Sequence, residues 1–202
     1  TITNAHTTET TEVAGTKTWN DADNQDGIRP ESITVNLLAN GKVVKTTRVS
    51  AETEWSYRFT DLPKNEGGKA IDYKVSEEAV EGYDGSVDGF NITNTHTPET
   101  TEVTGTKTWD DNNNQDGKRP GSIQVQLKTG TANIDEAKTL NSANDWKYTW
   151  TNLPKYENGK EIKYTVEEVV PEGYTASYNT ETEGKTIITN THTPEETTYS
   201  VE

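Results

Sequence analysis

The amino-acid sequence predicts an all-β protein that contains two tandem antiparallel β-sandwiches. The segment Gly15-Thr-Lys-Thr-Trp19 returns 90 residues later as Gly105-Thr-Lys-Thr-Trp109, which marks an internal repeat. Short runs such as Ile33-Thr-Val35-Asn-Leu37 alternate apolar and polar residues, which is the period of a half-buried strand. Turn residues recur between these runs. Together these observations indicate about seven strands in each unit of about ninety residues.

The strands are predicted in the same order in both units. In the first unit they contain Val13–Trp19, Ile33–Leu37, Trp55–Phe59, Tyr73–Glu77 and Ile92–His96. Asn40-Gly41 lies between two extended runs and predicts a tight hairpin. Leu62-Pro63 ends a strand, because proline has no N–H to donate to a ladder.

The repeats divide the chain into four segments, which are residues 1–9, 10–98, 99–195 and 196–202. The second and third segments are complete units, and the fourth begins the next linker. Ile2-Thr-Asn4 resembles Ile92-Thr-Asn94, so the first segment is interpreted as the tail of a preceding repeat or a remnant strand. Because the sequence contains no methionine, it is interpreted as an internal piece of a longer protein. The linkers lack glycine and are expected to be stiff.

Composition excludes several classes of partner. The net charge of −15 argues against nucleic acid and anionic membranes. There is no cysteine, so no disulfide can support the small cores. No stretch is apolar enough for a membrane span or a signal peptide. We therefore expect a monomer whose nearest partners are the neighbouring repeats of its own chain.

Side-chain parity places three polar residue types on core-facing positions. In the first strand Lys17 shares a face with Val13 and Trp19, because alternate residues of a strand point the same way. By the same rule Glu77 follows Tyr73 and Val75 inward, and Asn94 follows Ile92. The second unit repeats the trio as Lys107, Glu168 and Asn190.

Such a trio has a specific chemistry. Burial lowers the pKa of a lysine toward the neutral, nucleophilic amine and raises that of a glutamate toward the neutral acid. The acid can then polarise the asparagine carbonyl and transfer protons while ammonia leaves. Alternatively, each lysine is an exposed edge residue, each asparagine a strand-end hydrogen bonder and each glutamate a solvated carboxylate. A second glutamate beside Glu77 and Glu168 leaves the register of the acid open.

Several motifs resemble the Cna B-type repeats of Gram-positive surface adhesins. They are Gly-Thr-Lys-Thr-Trp, Asp/Asn-Gln-Asp-Gly-x-Arg-Pro, Asp/Asn-Leu-Pro-Lys, Tyr-x-Val-x-Glu, Gly-Tyr and Ile-Thr-Asn, each present twice and in matching order. The resemblance implies a transthyretin-like, inverse-immunoglobulin sandwich in each unit. It also implies an intramolecular Lys–Asn isopeptide bond that a buried acid promotes.

The resemblance assigns a role to each residue of the two trios. Lys17 and Lys107 would be the nucleophiles, and Asn94 and Asn190 the acceptors. Glu77 and Glu168 would transfer the protons. The register one residue earlier, which many family members use, would place Ser76 there in the first unit, which could not serve, and Glu167 in the second, which could. Asn4 would be the acceptor of a unit whose lysine is outside this sequence, and we expect it to stay unlinked.

Two further motifs suggest sites. The loops Asn20–Asp26 and Asp110–Asp116 resemble calcium loops, but Ala22 and Asn112 occupy the first ligand position of the EF-hand pattern. We therefore expect no metal and no other cofactor, and loops held by Asx hydrogen bonds. His6, His96 and His192 follow the last strand of a repeat and are expected to pack at the junctions.

Two functions remain open from the sequence, and neither is an enzyme that acts on other molecules. The first is a structural spacer in the stalk of an extracellular, cell-wall-anchored adhesin. The second is a module that itself binds a host extracellular-matrix protein. A binder should carry a feature that its twin lacks, and Lys128–Asp145 is interpreted as a slightly longer loop of that kind.

Overall fold

The computed structural model describes residues 1–199 and divides at Pro98 into two compact units. Strands account for nearly all regular structure, because β-branched and aromatic residues alternate with polar ones throughout. The two helical segments are single 3₁₀ turns, Ala51–Thr53 and Ser142–Asn144. Among the described residues, no helix has the length and apolar character needed to cross a membrane.

The first unit has nine strands. They are β1 (Thr10–Asn20), β2 (Ser32–Ala39), β3 (Lys42–Ser50), β4 (Ser56–Pro63), β5 (Asn65–Glu66), β6 (Lys69–Ala70), β7 (Tyr73–Glu77), β8 (Asp84–Asp88) and β9 (Asn91–Thr95). One sheet has the order β4-β1-β9-β8, the other has the order β3-β2-β7, and β5 and β6 form a separate small ribbon. Apart from that ribbon, seven strands form the sandwich, as expected.

The second unit repeats this arrangement. Its strands are β10 (Thr100–Asp110), β11 (Ser122–Thr129), β12 (Ala132–Asn133), β13 (Lys138–Asn141), β14 (Lys147–Pro154), β15 (Tyr156–Glu157), β16 (Lys160–Glu161), β17 (Tyr164–Glu168), β18 (Thr175–Asn179) and β19 (Lys185–Thr191). One sheet has the order β14-β10-β19-β18, and β11 lies at the centre of the other with β12, β13 and β17 as partners.

Each unit has one apolar core built from the alternating residues. In the first unit its buried members are Val13, Ile33, Val35, Leu37, Val49, Tyr57, Phe59, Leu62, Val75 and Ile92. The second core is built at corresponding positions, with Trp150 in the place of Phe59. Because β1, β2, β3, β4, β7 and β9 each contribute buried residues to the core, the parity of these strands is fixed, and so is the direction of their polar side chains.

The first and last strands of each unit are parallel neighbours. In β1 and β9, Lys17 pairs with Ile92 and Trp19 pairs with Asn94. In β10 and β19, Lys107 pairs with Ile188 and Trp109 pairs with Asn190. The lysine and the asparagine are therefore two residues apart along adjacent strands and on the same face.

The hairpin prediction is confirmed in detail. Asn40 and Gly41 connect β2 to β3 and have φ values of 49° and 82°. Two central residues in the left-handed region are typical of the type I′ turn, which matches the twist of the flanking strands.

Two expectations for local structure were wrong. Trp55 precedes its strand and has a φ of 54°. Lys128–Asp145 is not a loop, since β12, β13 and a 3₁₀ turn lie within it. Residues 1–9 form no strand and are exposed, and their origin in a preceding repeat stays a prediction.

The larger difference between the units lies elsewhere. Tyr83 and Asn94 are 11 positions apart, whereas Tyr174 and Asn190 are 16 positions apart. The additional residues form the connection between β18 and β19, where the carbonyl of Gly184 accepts a hydrogen bond from the N–H of Thr104 at 2.8 Å.

Candidate functional site

Both lysines of the trios lie inside their units. Lys17 and Lys107 are each 4% exposed, and their side chains are fully buried. Their position follows from the parity of β1 and β10, which turns the alternate residues Val13, Lys17 and Trp19 toward the core. The alternative interpretation as exposed edge residues is therefore wrong, because both strands are central in their sheets.

A carboxyl group lies beside each lysine. Lys17 Nζ is 3.4 Å from Glu77 Oε1, and Lys107 Nζ is 3.6 Å from Glu168 Oε2. The glutamate side chains end β7 and β17 on the same face as Val75 and Val166, and they are 8% and 0% exposed. The alternative acid Glu167 points outward and pairs with Lys128 at 2.5 Å.

The asparagines complete both clusters. Asn94 is 1% exposed, and in the described residues neither its amide nitrogen nor its amide oxygen has a hydrogen-bond partner. Asn190 is fully buried and donates to Glu168 Oε1 at 2.5 Å. A carboxamide can donate through its nitrogen or accept through its oxygen, and a protonated carboxyl can also do either. With the Asn190 amide turned over, the same contact becomes a hydrogen bond from Glu168 to the carboxamide oxygen, which polarises the carbonyl.

The environment shifts the pKa values of both lysines and of Glu168 toward the neutral forms. Burial lowers the pKa of Lys17 and of Lys107 to about 8, although the neighbouring glutamates oppose this shift. Burial also raises the pKa of Glu168, against the opposing hydrogen bond from Asn190 and the charge of Lys107. When a neutral amine, a neutral carboxyl and a carboxamide lie together, the acyl group of the carboxamide can be transferred to the amine while ammonia leaves.

A tryptophan covers each lysine. Lys17 Nζ lies 4.0 Å from the centre of the Trp19 ring, and Lys107 Nζ lies 4.3 Å from that of Trp109. Trp19 packs edge-on against Trp55 and Tyr83. The positive φ of Trp55 brings its ring into this cluster, which screens the amine from water.

A buried ion-pair cluster beside each trio was not predicted. Asp21 accepts two hydrogen bonds from Arg29, at 3.0 and 2.6 Å, and one from the hydroxyl of Tyr83 at 2.8 Å. Arg29 holds the pKa of Asp21 down at about 2. Asp111, Arg119 and Tyr174 repeat the cluster. The sequence signal was the fixed spacing of this aspartate from the Arg-Pro pair in both repeats.

The acidic loops are held as expected. The carboxylate of Asp21 accepts from the N–H of Asn24 at 3.0 Å, and the Asn24 side chain accepts from the N–H of Arg29 at 2.9 Å. The Asx hydrogen bonds are thereby confirmed. Within residues 1–199 no group of three or more His, Asp or Glu side chains is arranged to hold a metal ion.

The histidines differ from the expected junction role. His96 contacts its own unit, with Nε2 at 2.8 Å from Asp26 Oδ2 and Nδ1 at 2.9 Å from the carbonyl of Gly82. His192 makes the same contacts with Asp116 and Gly173. His6 is exposed. Both ring nitrogens of His96 and of His192 face acceptors, so each contact set is complete only in the doubly protonated ring.

These contacts predict a pH dependence. Hydrogen bonds to Asp26 and Asp116 raise the pKa values of His96 and His192. A histidine whose pKa is raised in the folded state stabilises that state fully at pH values below its unfolded-state pKa of about 6.5. This stabilisation is lost as the pH rises through the folded-state pKa. We expect calorimetric melting temperatures to fall over that window and His96→Gln to flatten the fall in the first unit. The exposed His6→Gln is the control, and an unchanged pH profile in His96→Gln would contradict the assignment.

Comparisons with known proteins agree with this architecture. A family model described as the Cna protein B-type domain matches residues 13–95 and again residues 103–191. A collagen adhesin of Staphylococcus aureus is 48% identical over 202 residues. That match covers 100% of this chain but 17% of the adhesin, so the chain spans about a sixth of that relative.

Two solved structures are also similar in sequence. The crystal structure of a single B repeat unit of the collagen-binding surface protein of S. aureus is 49% identical, covers 92% of this chain and 100% of its own, and has a TM-score of 0.46. The structure of two such B repeat units is 49% identical, covers 94% and 51% of the respective chains, and has a TM-score of 0.47.

Proposed function

Because the chain belongs to the Cna protein B-type domain family, we propose that its two units are spacer repeats of a bacterial surface adhesin, each closed by its own Lys–Asn isopeptide bond. The observation that carries this proposal is the duplicated trio. A buried amine, a buried carboxyl and a buried carboxamide meet at the same place in both units.

The reaction joins the first strand of a unit to its last. The neutral amine of Lys17 attacks Cγ of Asn94, and a new C–N bond forms. The Cγ–Nδ2 bond then breaks, and Nδ2 leaves as ammonia with the proton that the amine gives up. Lys107 and Asn190 react in the same way, each pair once.

The glutamates are proposed to transfer the protons. In its neutral form Glu168 donates to the carboxamide oxygen, which makes Cγ more electrophilic. It then accepts the proton of the attacking amine and passes it to the leaving nitrogen. Burial raises the pKa of the Glu168 carboxyl and so favours the neutral form that the first step requires. Glu77 has the same role in the first unit.

The spacer role rests on repetition and on the covalent closure. The loop between Lys17 and Asn94 contains nearly eighty residues. Closing a loop of that length stabilises a fold by about 4 kcal/mol in the chain-entropy treatment of cross-links. An amide, unlike a disulfide, cannot be reduced, which suits an extracellular, cell-wall-anchored stalk.

Intact-protein mass spectrometry tests the proposal directly. We expect the 202-residue chain to weigh less than its sequence by two molecules of ammonia, one for each unit. Peptide mapping should find Lys17 joined to Asn94 and Lys107 joined to Asn190, while Asn4 stays free. A mass equal to that of the sequence would exclude the cross-links.

The alternative is a binding module for a host extracellular-matrix protein, since the relative is named a collagen adhesin. The connection between β18 and β19 favours it, because the residues 180–184 have no counterpart of equal length in the first unit. They border a cleft of about 220 Å³ that is also lined by Lys155, Lys163 and Tyr164. If the chain binds collagen, shortening this connection should abolish the binding, whereas a pure spacer shows no binding in either form.

A further inference from the structure

The two trios differ where the adjacent edge strand passes the asparagine. Gly85 of β8 pairs with Asn94, whereas Ala176 of β18 pairs with Asn190. A Cβ at Gly85 would lie 3.2 Å from Asn94 Oδ1 and 3.5 Å from Glu77 Oε2. The missing side chain therefore leaves space against both groups in the first unit, and a methyl group occupies the corresponding position in the second.

An open cleft reaches this space in the first unit. It has a volume of about 330 Å³, and its lining includes Glu77, Gly85, Val87 and Asn94. The carboxamide of Asn94 is buried, yet neither of its polar atoms has a hydrogen-bond partner in residues 1–199. A polar, roomy site with unpaired amide atoms is one that a water molecule can enter and satisfy.

The second unit also has a cleft, of about 390 Å³, beside Glu168 and Tyr178, but its lining includes neither Ala176 nor Asn190. Tyr178 pairs with Ile188, as Val87 pairs with Ile92, and the Tyr178 hydroxyl accepts a hydrogen bond from the N–H of Glu168 at 3.3 Å. The amide nitrogen of Asn190 is already bonded to Glu168, whereas its amide oxygen has no hydrogen-bond partner in residues 1–199. The Glu168 side chain is fully buried, whereas that of Glu77 is 8% exposed. The amide of this unit, unlike Asn94, therefore does not line the cleft beside it, and the bulkier edge strand lies between it and the solvent.

We propose that the first unit, unlike the second, admits water to its asparagine as a competing nucleophile, so that Glu77 promotes hydrolysis of Asn94 to aspartate. This inference rests on the proposed function, because it uses the same acid and the same carboxamide. The oxygen of water bonds to Cγ of Asn94 and the Cγ–Nδ2 bond breaks. Glu77 passes a proton of the water to Nδ2, which leaves as ammonia, and no oxidation or reduction occurs.

Lys17 reacts faster than water in the intact protein. Its amine is held beside the acid, and a positioned nucleophile reacts as though it were present at very high concentration. Hydrolysis is therefore a minor outcome that leaves a fraction of first units with an aspartate in place of Asn94 and no cross-link. It becomes the main outcome when the amine is removed.

The test compares Lys17→Met with Lys107→Met in the full chain, incubated in water enriched in heavy oxygen and followed by peptide mapping. Methionine keeps an unbranched side chain in the core but provides no amine. We expect Asn94 to become aspartate with one heavy oxygen and without isoaspartate, while Asn190 stays an amide. Adding Glu77→Gln should slow the conversion by about a hundredfold, as expected for loss of a general acid–base group.

Exchanging the residues of β8 and β18 that lie beside the asparagines tests whether these edge strands cause the difference between the units. Gly85→Ala with Val87→Tyr should protect Asn94, and Ala176→Gly with Tyr178→Val should expose Asn190, each in the matching lysine variant. Equal conversion in both units, conversion that ignores Glu77→Gln, or a mixture with isoaspartate would overturn the inference. Isoaspartate would indicate attack by the backbone nitrogen instead of by water.

Two further outcomes keep the inference separate from the cross-link. A wild-type chain that lacks two ammonia molecules, together with an unreacted Asn94 in a folded Lys17→Met variant, refutes the hydrolysis alone. A wild-type chain of full mass refutes the cross-link itself. If Lys17→Met does not fold, the test uses the minor peptide in which Asn94 has become aspartate. Its amount is measured in the wild type and in Gly85→Ala. An equal amount in the two proteins refutes the inference.

Discussion

Replacing Lys17 with methionine is expected to lower the melting temperature of the first unit by roughly 15–30 °C and to leave that unit without its cross-link, so that the intact mass no longer shows the loss of ammonia that joins Lys17 to Asn94. The variant loses a closure worth about 4 kcal/mol, and each kcal/mol corresponds to several degrees in a domain of this size. The second unit should keep its own transition, because its trio is intact. Differential scanning calorimetry and intact mass, recorded on the same sample, measure both effects.

The matched control is Lys107→Met, which should shift only the other transition. Loss of the amine also leaves Glu77 without its partner, and a buried polar group without a partner is itself destabilising. The double variant Lys17→Met/Glu77→Gln separates the two causes, because it replaces the carboxyl group as well. A single variant that lacks its cross-link yet melts like the wild type would refute the proposed stabilisation.

Replacing Glu168 with glutamine is expected to prevent the second cross-link while the first still forms. Glutamine keeps the shape and can bond Asn190, but it can neither donate an acidic proton nor accept one from the amine. Loss of such a group slows a reaction by about 10²–10⁴-fold. Intact mass should therefore rise by one ammonia, and peptide mapping should find Lys107 and Asn190 unmodified.

Glu167→Gln is a close control, since the two glutamates are neighbours in β17. Glu167 points to solvent and pairs with Lys128, so its replacement should leave both cross-links in place. If Glu167→Gln blocked the reaction and Glu168→Gln did not, the register of the acid would be the earlier one. If neither did, proton transfer would not depend on a glutamate of β17.

Parity explains why the trios could be predicted from the sequence. A strand has a fixed period of two, so an apolar residue such as Val75 determines the direction of Glu77 without any knowledge of the sheet order. The same rule gives the direction of Lys17 from that of Val13. What parity cannot supply is the distance between strands, and the parallel pairing of β1 with β9 sets the distance from Lys17 to Asn94.

The features that were missed depend on contacts between distant residues. The alternating pattern places Trp55 within a strand. Its left-handed backbone accompanies the packing of its ring on Trp19, a contact between distant residues that the local pattern does not contain. Asp21 and Tyr83 are 62 positions apart, so their hydrogen bond leaves no local pattern. The histidines illustrate the same limit, since their position after the last strand suggested a junction while their partners lie in loops of their own unit.

The parallel pairing of the first and last strands also decides how each unit responds to force. A pull along the chain acts on the Thr10 end of β1 and on the Thr95 end of β9, and in a parallel pair these ends lie at opposite extremities. The hydrogen bonds between the two strands are then loaded in shear and together, instead of breaking one after another as in a zipper. We therefore expect the strand order of each unit to resist extension even before a covalent bond joins the two strands.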